Sequence, residues 1–481
     1  MIAGIGRYLP YGFIGSFGGL LTIAVGSVLT PVAAIALAVA ALLGLATVVY
    51  PFLGLSLLAV FSQLDGLSNV IFALSPISGF KLLTGTTLIG VLLLVSVMRD
   101  RFVLTLRDPV FIMACLFFAI MFVSALFATN KGYALDSIRR MFSLLLLLIL
   151  FVLMIDRRSR LSFVIYILMG ASLFSAIILC FDIAFGTTLL TSSDAATTAR
   201  TAEGFDRSSG ASEHNPTTAA TMLLTGVIIG VVAFLEGGKH KRFYLAVIGI
   251  GTLGILLSFA RSSALVYGVI VLLLMWRYRK SRYLPLGIFA GLMGLVAMLP
   301  FIPESYWGRI VSIFGGSGGD WTLGRRLTYN IIGVELALRY PILGVGPGNF
   351  KDWFTDPEFR YLPGRTLLGR QLHNMYLSVI VEYGIVGAFF FFGFLFHALR
   401  SVRRAMLTPV DDDMRVLATA YFYGFIAYLL VSVFVPNEYN KYTWMMAGIG
   451  SAFAYLNPPK TAAESTGTLG DKMRAMLRAQ P

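Results

Sequence analysis

The chain has 481 residues, of which 57% are hydrophobic and 13% are charged, and its formal net charge is +14. Soluble globular proteins average about 45–50% apolar and about 25% charged residues, so this composition excludes an ordinary soluble domain. The basic residues form short clusters between apolar segments instead of one continuous face, so we expect no nucleic acid partner.

Apolar segments that approach the roughly 20 residues needed for a helix to cross the hydrocarbon core run through most of the chain. In chain order they are 9–29, 31–50, 84–99, 109–128, 139–155, 161–184, 215–235, 243–260, 263–277, 283–301, 374–398, 416–435 and 442–456. A weaker candidate at 51–64 contains Pro51 and Gly54. The sequence therefore predicts an all-α polytopic membrane protein with about 14 transmembrane helices, or about 12 if the first region is re-entrant.

The basic clusters set the predicted orientation. They lie at 99–107, 157–160, 239–242, 277–282 and 400–404, and threading the predicted spans places all five on one face. Because cytoplasmic loops are enriched in Lys and Arg, that face is predicted to be cytoplasmic, together with both termini. The predicted divisions are a transmembrane bundle at 1–301, an extracytoplasmic loop at 302–373, transmembrane helices at 374–457 and a disordered cytoplasmic tail at 458–481.

The segment 302–373 is far longer than an ordinary connection, which indicates a function. Within it, Leu327, Ile331, Val334 and Leu338 are spaced like one face of a helix, and Pro341 follows the run. This pattern predicts an amphipathic helix that lies on the membrane surface with its apolar side down.

The four histidines differ in predicted topology. His240 and His397 fall on the cytoplasmic side among basic residues, whereas His214 and His373 fall on the outer side, each directly before an Asn and a span. For His214 a structural role is the stronger interpretation. For His373, which ends the long loop beside Asn374, we favour a catalytic role, because imidazole titrates near neutral pH.

Arginines on the outer side are the second signal, because topology depletes cations there. They are Arg139, Arg140, Arg261, Arg325 and Arg326. Each could extend along the membrane interface or pair with an acid, but several around one cavity would suit a pyrophosphate, which guanidinium groups bind through paired hydrogen bonds.

Three other features are weaker. Glu382 could handle a proton or belong to a helix kink at Gly384, and the sequence favours neither. The acidic run at 411–413 falls on the cytoplasmic side and is interpreted as a solvated loop. The glycine-rich segments 315–319 and 344–348 lack the Lys-Ser/Thr of a nucleotide-binding loop, and no Cys, His or Asp spacing suggests a metal site.

Several short motifs follow one another between about residues 210 and 400. They are Asn215-Pro216, Ser258-Phe259-Ala260-Arg261, Gly324-Arg325-Arg326, Gly344-Val345-Gly346-Pro347-Gly348-Asn349, His373-Asn374 and Glu382-Tyr383-Gly384. Each motif alone is weak, but the ordered set resembles the O-antigen ligase and O-antigen polymerase family. The N-terminal third is similar only as a bundle of helices.

The resemblance implies a metal-independent, inverting glycosyltransferase of the bacterial inner membrane that needs no cofactor. Its donor would be an undecaprenyl-pyrophosphate-linked glycan, and its acceptor a lipid A core sugar or another glycan. By matching position, His373 would be catalytic, while Arg261 and either Arg325 or Arg326 would bind the pyrophosphate. Arg139 and Arg140 match more loosely, and Glu382, His214 and Asn374 are possible accessory residues.

Alternatives remain open at this level. A ligase of lipopolysaccharide assembly and a polymerase of O-antigen or exopolysaccharide differ in acceptor, which one sequence does not reveal, and transfer to a protein is a third possibility. A flippase for lipid-linked oligosaccharides would share the number of spans. It is disfavoured because the ionisable residues cluster at one mouth of the bundle and not at the bilayer midplane, where transporters place their sites.

Overall fold

The computed structural model describes residues 31–72, 78–94, 98–190, 208–212, 216–298, 321–362 and 369–457. Within these ranges the chain forms seventeen α-helices and no strand. In chain order they are α1 (Pro31–Val49), α2 (Pro51–Phe61), α3 (Asp65–Ile71), α4 (Gly79–Leu93), α5 (Arg99–Leu106), α6 (Pro109–Leu126), α7 (Lys131–Met154), α8 (Arg158–Phe185), α9 (Pro216–Leu235), α10 (Lys241–Leu257), α11 (Arg261–Arg277), α12 (Leu284–Met298), α13 (Trp321–Arg339), α14 (Phe350–Thr355), α15 (Met375–Leu407), α16 (Asp412–Val431) and α17 (Lys441–Leu456).

The predicted all-α polytopic membrane fold is confirmed. Helices α6, α7, α8, α9, α15 and α16 are each long and apolar enough to cross a membrane. The predicted spans near α4, α10, α11, α12 and α17 coincide with apolar helices of 15–17 residues. The span at 9–29 lies outside the described residues, so the total of 12–14 stays a prediction.

The weak candidate at 51–64 is a bent pair and not a straight span. Helices α2 and α3 meet at 119° across a break after Phe61, so they form either one broken span or a re-entrant loop. Asp65, which begins α3, is buried and accepts a hydrogen bond from the Ser212 hydroxyl at 3.1 Å. That contact fastens the bend to the polar segment before α9.

Helix α9 occupies the centre of the bundle, and 83% of the residues in its most apolar 18-residue stretch are buried. It packs against α8, α10 and α16, while α15 packs against α6, α16 and α17. Large apolar side chains remain exposed on the outside, including Leu272 and Trp276 of α11 and Phe389 of α15. An exposed apolar periphery of this kind suits contact with lipid.

Ion pairs gather at one end of the bundle, which we call the basic end. Arg158 pairs with Asp411, Lys239 with Asp413 at 2.6 Å, and Arg277 with Glu236 at 3.8 Å. The side chain of Asp411 also caps α16 by accepting a hydrogen bond from the Met414 amide at 2.8 Å. The acidic run at 411–413 is therefore a salt-bridged loop and helix cap.

The opposite end carries α13, α14 and the start of α15, and we call it the loop end. Tyr329, Ile332 and Leu336 of α13 are buried in a small core with Phe350 and Phe354 of α14. The face predicted from the sequence points the other way, and Leu327, Ile331, Val334 and Leu338 are all exposed. Its contact with a membrane surface stays a prediction. The parts of the long loop at 302–320 and 363–368, and the tail at 458–481, lie outside the described residues.

Candidate active site

Helix α15 is broken near its start at Gly384. The backbone there has φ 65° and ψ −170°, a conformation that a non-glycine residue adopts only under strain. The segment 341–346 fills the break, since the Val345 amide donates to the Val381 carbonyl at 2.9 Å and the Ile385 amide donates to the Pro341 carbonyl at 2.8 Å. Backbone groups left unpaired by the broken helix thus find partners in the loop.

The glycines of the Gly344–Gly348 motif serve this docking. A Cβ on Gly344 would lie 2.5 Å from the Glu382 backbone, and one on Gly346 would lie 2.4 Å from Ala128. Asn349 then ties the motif to the start of α7, since its carboxamide oxygen accepts from the Asn130 amide at 2.6 Å. The motif therefore has a structural role, because it docks the loop against α15 and against the start of α7.

Glu382 is buried in the first part of α15, beside this motif. Its Oε2 accepts hydrogen bonds from the Gly348 amide and from the Tyr439 hydroxyl, both at 2.9 Å. The Tyr439 hydroxyl also bonds to that of Tyr383. Glu382 thus fastens the Gly344–Gly348 motif to the first part of α15, and its carboxyl group also lines a polar pocket.

This loop-end pocket has a volume of 140 Å³. One wall is the first part of α7, with Tyr133, Asp136, Ser137 and Arg140. The other walls are built by Gly348, Phe350 and Lys351, by Gln371 and Leu372, by Ser378 and Glu382 of α15, and by Glu438 and Tyr439. Segments more than 300 residues apart in sequence meet there.

Glu438 and Tyr439 belong to the turn between α16 and α17, and sequence analysis missed both as site residues. The Ser378 hydroxyl donates to Glu438 Oε1 at 2.7 Å, and the carboxyl is buried. Burial, together with the negative charge of Glu382, raises the pKa of Glu438 to about 8. The sequence did contain a signal for Glu438, because an acidic residue in a short turn between two apolar helices is unusual enough to mark a candidate site residue.

His373 lies at the end of the loop, directly before α15. Its ring is partly exposed and packs against the ring of Tyr329 on α13, with 5.4 Å between the ring centroids. The next residue, Asn374, caps α15 by accepting hydrogen bonds from the amides of Tyr376 and Leu377 at 3.0 and 3.2 Å. Asn374 therefore has a structural role that fixes the start of α15 beside His373.

Arg326 precedes Tyr329 by three residues on α13, so the two side chains lie on the same side of that helix. Since Tyr329 contacts His373, the structure brings Arg326 to the His373 side of α13. Arg325 is also part of α13, but its side chain lies outside what the structure describes.

The remaining predicted residues are placed separately. Arg140 lines the loop-end pocket, and its guanidinium lies 5.8 Å from the centroid of the Tyr439 ring. Arg139 is exposed and pairs with Asp136 at 3.4 Å. Arg261 is partly buried and begins α11, which packs against α9 and α16. It follows Phe259, whose φ is +51°. His214 lies outside the described residues.

Within the described ranges, no three His, Cys, Asp or Glu side chains are grouped so that they could hold a metal ion. The charged groups at the loop end are instead guanidinium, ammonium and carboxyl groups from different elements. Such a set can bind an anion, hydrogen-bond hydroxyl groups, and move a proton at an imidazole.

Comparison with known proteins adds one match. Residues 244–392 match the family model described as O-antigen ligase. The match begins in α10 and ends in α15, so it includes Arg261, Arg325, Arg326, His373 and Glu382. No curated protein matches the chain. Over residues 244–392 the chain is therefore similar to the O-antigen ligase family, which supports the family that the motifs resemble.

Proposed function

We propose that the protein is a glycosyltransferase of the O-antigen ligase type, which moves a glycan from an undecaprenyl-pyrophosphate-linked donor to a lipid A core sugar. The observation that carries the proposal is the family match over 244–392, a range that contains both His373 and the helix α13 packed against it. In this proposal the loop end faces the periplasm and the basic end faces the cytoplasm of the bacterial inner membrane, in line with the positive-inside rule.

The proposed reaction is a single displacement with inversion. The acceptor hydroxyl attacks the anomeric carbon of the donor, the bond from that carbon to the pyrophosphate oxygen breaks, and the electron pair leaves with undecaprenyl pyrophosphate. His373 takes the proton of the attacking hydroxyl. Arg261, with Arg326 or Arg325, stabilises the negative charge that grows on the leaving group. Arg140 lines the loop-end pocket, and Arg139 is paired at the surface with Asp136.

An apolar groove offers a path for the donor's polyprenyl chain. It has a volume of 900 Å³ and runs along α15 from Leu377 to His397, with Val334 and Leu338 of α13 at one end. Twenty helical residues rise about 30 Å, which is roughly the thickness of the hydrocarbon core. A lipid tail in this groove would hold its head group beside α13, on the side of the molecule where His373 lies.

The test is transfer by the purified protein with defined substrates. The wild type should move glycan from an undecaprenyl-pyrophosphate donor to lipid A core, and His373→Ala should lower kcat by about 10²–10⁴-fold. His240→Ala is the matched control, because His240 lies at the basic end against Tyr166. Movement of the donor between leaflets without transfer would instead indicate a flippase.

Two further arms refine the proposal. Chelation of divalent cations should leave transfer unchanged, because arginines take the role that a metal would fill. Replacing lipid A core by a second lipid-linked glycan tests the polymerase alternative, in which that acceptor is elongated and lipid A core is not. Activity that is lost with chelator and restored by magnesium would contradict the arginine assignment.

A further inference from the structure

The loop-end pocket contains a buried polar atom with no protein partner. Glu438 is 3% exposed, and its Oε1 accepts from Ser378. Among the described residues, no group donates to or accepts from its Oε2. A buried carboxyl oxygen without a partner is unfavourable, so such an atom beside a pocket indicates a ligand that supplies the missing hydrogen bond.

The charges of the pocket restrict that ligand. The carboxyl groups of Asp136 and Glu382 line the pocket and disfavour a phosphate or pyrophosphate, while Glu438, whose pKa is raised by burial, acts there as a hydrogen-bonding group. Two cations, Arg140 and Lys351, line it as well and disfavour a metal ion. A neutral molecule with several groups that both donate and accept hydrogen bonds fits this mixture best.

The other lining groups fit a sugar ring. Hydroxyl and amide groups of Ser137, Tyr439 and Gln371 can bond to ring hydroxyls, while the exposed ring of Tyr133 can pack against ring carbons. The volume of 140 Å³ holds several waters but not a glycan joined to a pyrophosphate. Gln371 and Leu372 also connect the pocket directly to His373, the proposed base.

We propose that the loop-end pocket is a subsite for one hydroxylated ring of the acceptor glycan, and that Glu438 Oε2 hydrogen-bonds a hydroxyl of that ring. Glu438 is then a positioning and specificity-determining residue, with Ser378 holding its other oxygen. This inference rests on the proposed glycosyl transfer, because it assigns the pocket to one of the two substrates of that reaction.

The experiment is steady-state kinetics of the full-length protein in proteoliposomes, with donor and lipid A core acceptor varied separately. Glu438→Ala should raise the KM for the acceptor about tenfold or more and leave the KM for the donor within about twofold, because only the acceptor loses a hydrogen bond. Glu438→Gln keeps the shape and the bonding capacity and should restore most of the acceptor KM. Glu358→Ala is the control, since Glu358 is an exposed acid at the loop end that pairs with Arg339.

The possible outcomes separate this inference from the function itself. Absence of transfer by the folded wild type contradicts the proposed function. With an active wild type, a rise in donor KM for Glu438→Ala would assign the pocket to the donor and overturn the inference. An acceptor KM that is unchanged in Glu438→Ala, or raised equally in Glu358→Ala, would also overturn it. Thermal unfolding in detergent confirms that each variant is folded.

Discussion

Arg139 and Arg140 are adjacent in sequence, yet they have different surroundings. Consecutive residues of a helix point about 100° apart, so one guanidinium reaches Asp136 at the surface while the other reaches the pocket and Tyr439. Asn374 and His373 differ in the same way, since one caps α15 and the other presents its ring to Tyr329. At this scale, one motif in the sequence combines a residue that holds the local structure with a residue that faces the candidate site.

Arg261 provides a test of pyrophosphate binding. If its guanidinium holds the pyrophosphate in both the ground state and the transition state, Arg261→Ala should weaken donor binding and also lower kcat. Arg261→Lys should recover only part of the activity, because an ammonium keeps the charge but cannot make the paired hydrogen bonds. Donor KM and kcat of the two variants check this. Full recovery by Lys would indicate that charge alone suffices.

The buried carboxyl of Glu438 makes a prediction about pH. Its pKa is raised to about 8, so the folded protein holds this proton more tightly than the unfolded chain does. The protonated Glu438 side chain therefore contributes to the free energy of unfolding. This contribution is complete at pH values below the ordinary carboxyl pKa and is lost as the pH rises from there through about 8. Glu438→Gln removes this loss, so its melting temperature should rise relative to wild type between pH 5 and pH 9.

Glu358 is the matched control for this measurement. Its side chain is exposed, and the Arg339 guanidinium lowers its pKa, so ionisation is favoured in the folded state. Glu358→Gln should therefore gain no stability with rising pH. An equal gain in both variants would show that the effect does not come from burial of Glu438.

At the scale of an element, the break in α15 depends on a single residue. A Cβ on Gly384 would lie 2.1 Å from the Ile342 carbonyl oxygen, and a side chain at this φ and ψ adds strain of about 1–3 kcal/mol. Gly384→Ala should thus separate α15 from the 341–346 segment and displace Glu382. We expect a lower melting temperature and a large loss of transfer.

Gly170→Ala on α8 is the control for this substitution, because its Cβ would meet no atom within 4 Å. A helical Gly replaced by Ala gains about 0.5–1 kcal/mol in the interior of a helix, so this variant should be neutral or slightly stabilised. Comparable melting temperatures for Gly384→Ala and Gly170→Ala would contradict the role assigned to the break.

For the whole molecule, the proposed orientation can be tested in intact cells. Tyr361, which is 71% exposed at the loop end, should become reactive to a membrane-impermeant thiol reagent as Tyr361→Cys. Asp412, whose side chain is 94% exposed at the basic end, should not react as Asp412→Cys until the cells are opened. The wild type is the background, since Cys115 and Cys180 are partly buried in α6 and α8. The opposite labelling pattern would reverse the orientation and move the site to the cytoplasm.

The sequence by itself determined the class of fold, the approximate positions of most of the apolar helices in the described ranges, and the likeness to the O-antigen ligase family over residues 244–392. These are local properties, because each membrane helix satisfies its own backbone hydrogen bonds and is encoded by a continuous apolar run. The basic clusters are also local features, because each lies in a short loop between two apolar runs, and together they predicted one common face. The ion pairs of Arg158, Lys239 and Arg277 do meet at one end of the bundle.

Only the tertiary structure decided which polar groups share the site. Glu438 and Tyr439 lie about 300 residues after Arg140, yet all three line one pocket with Lys351 and Ser378. No periodicity relates residues on α7, α14, α15 and the α16–α17 turn, because their proximity follows from how the helices pack. The break at Gly384 is likewise stable only because a loop some forty residues earlier supplies the hydrogen bonds that α15 gives up there.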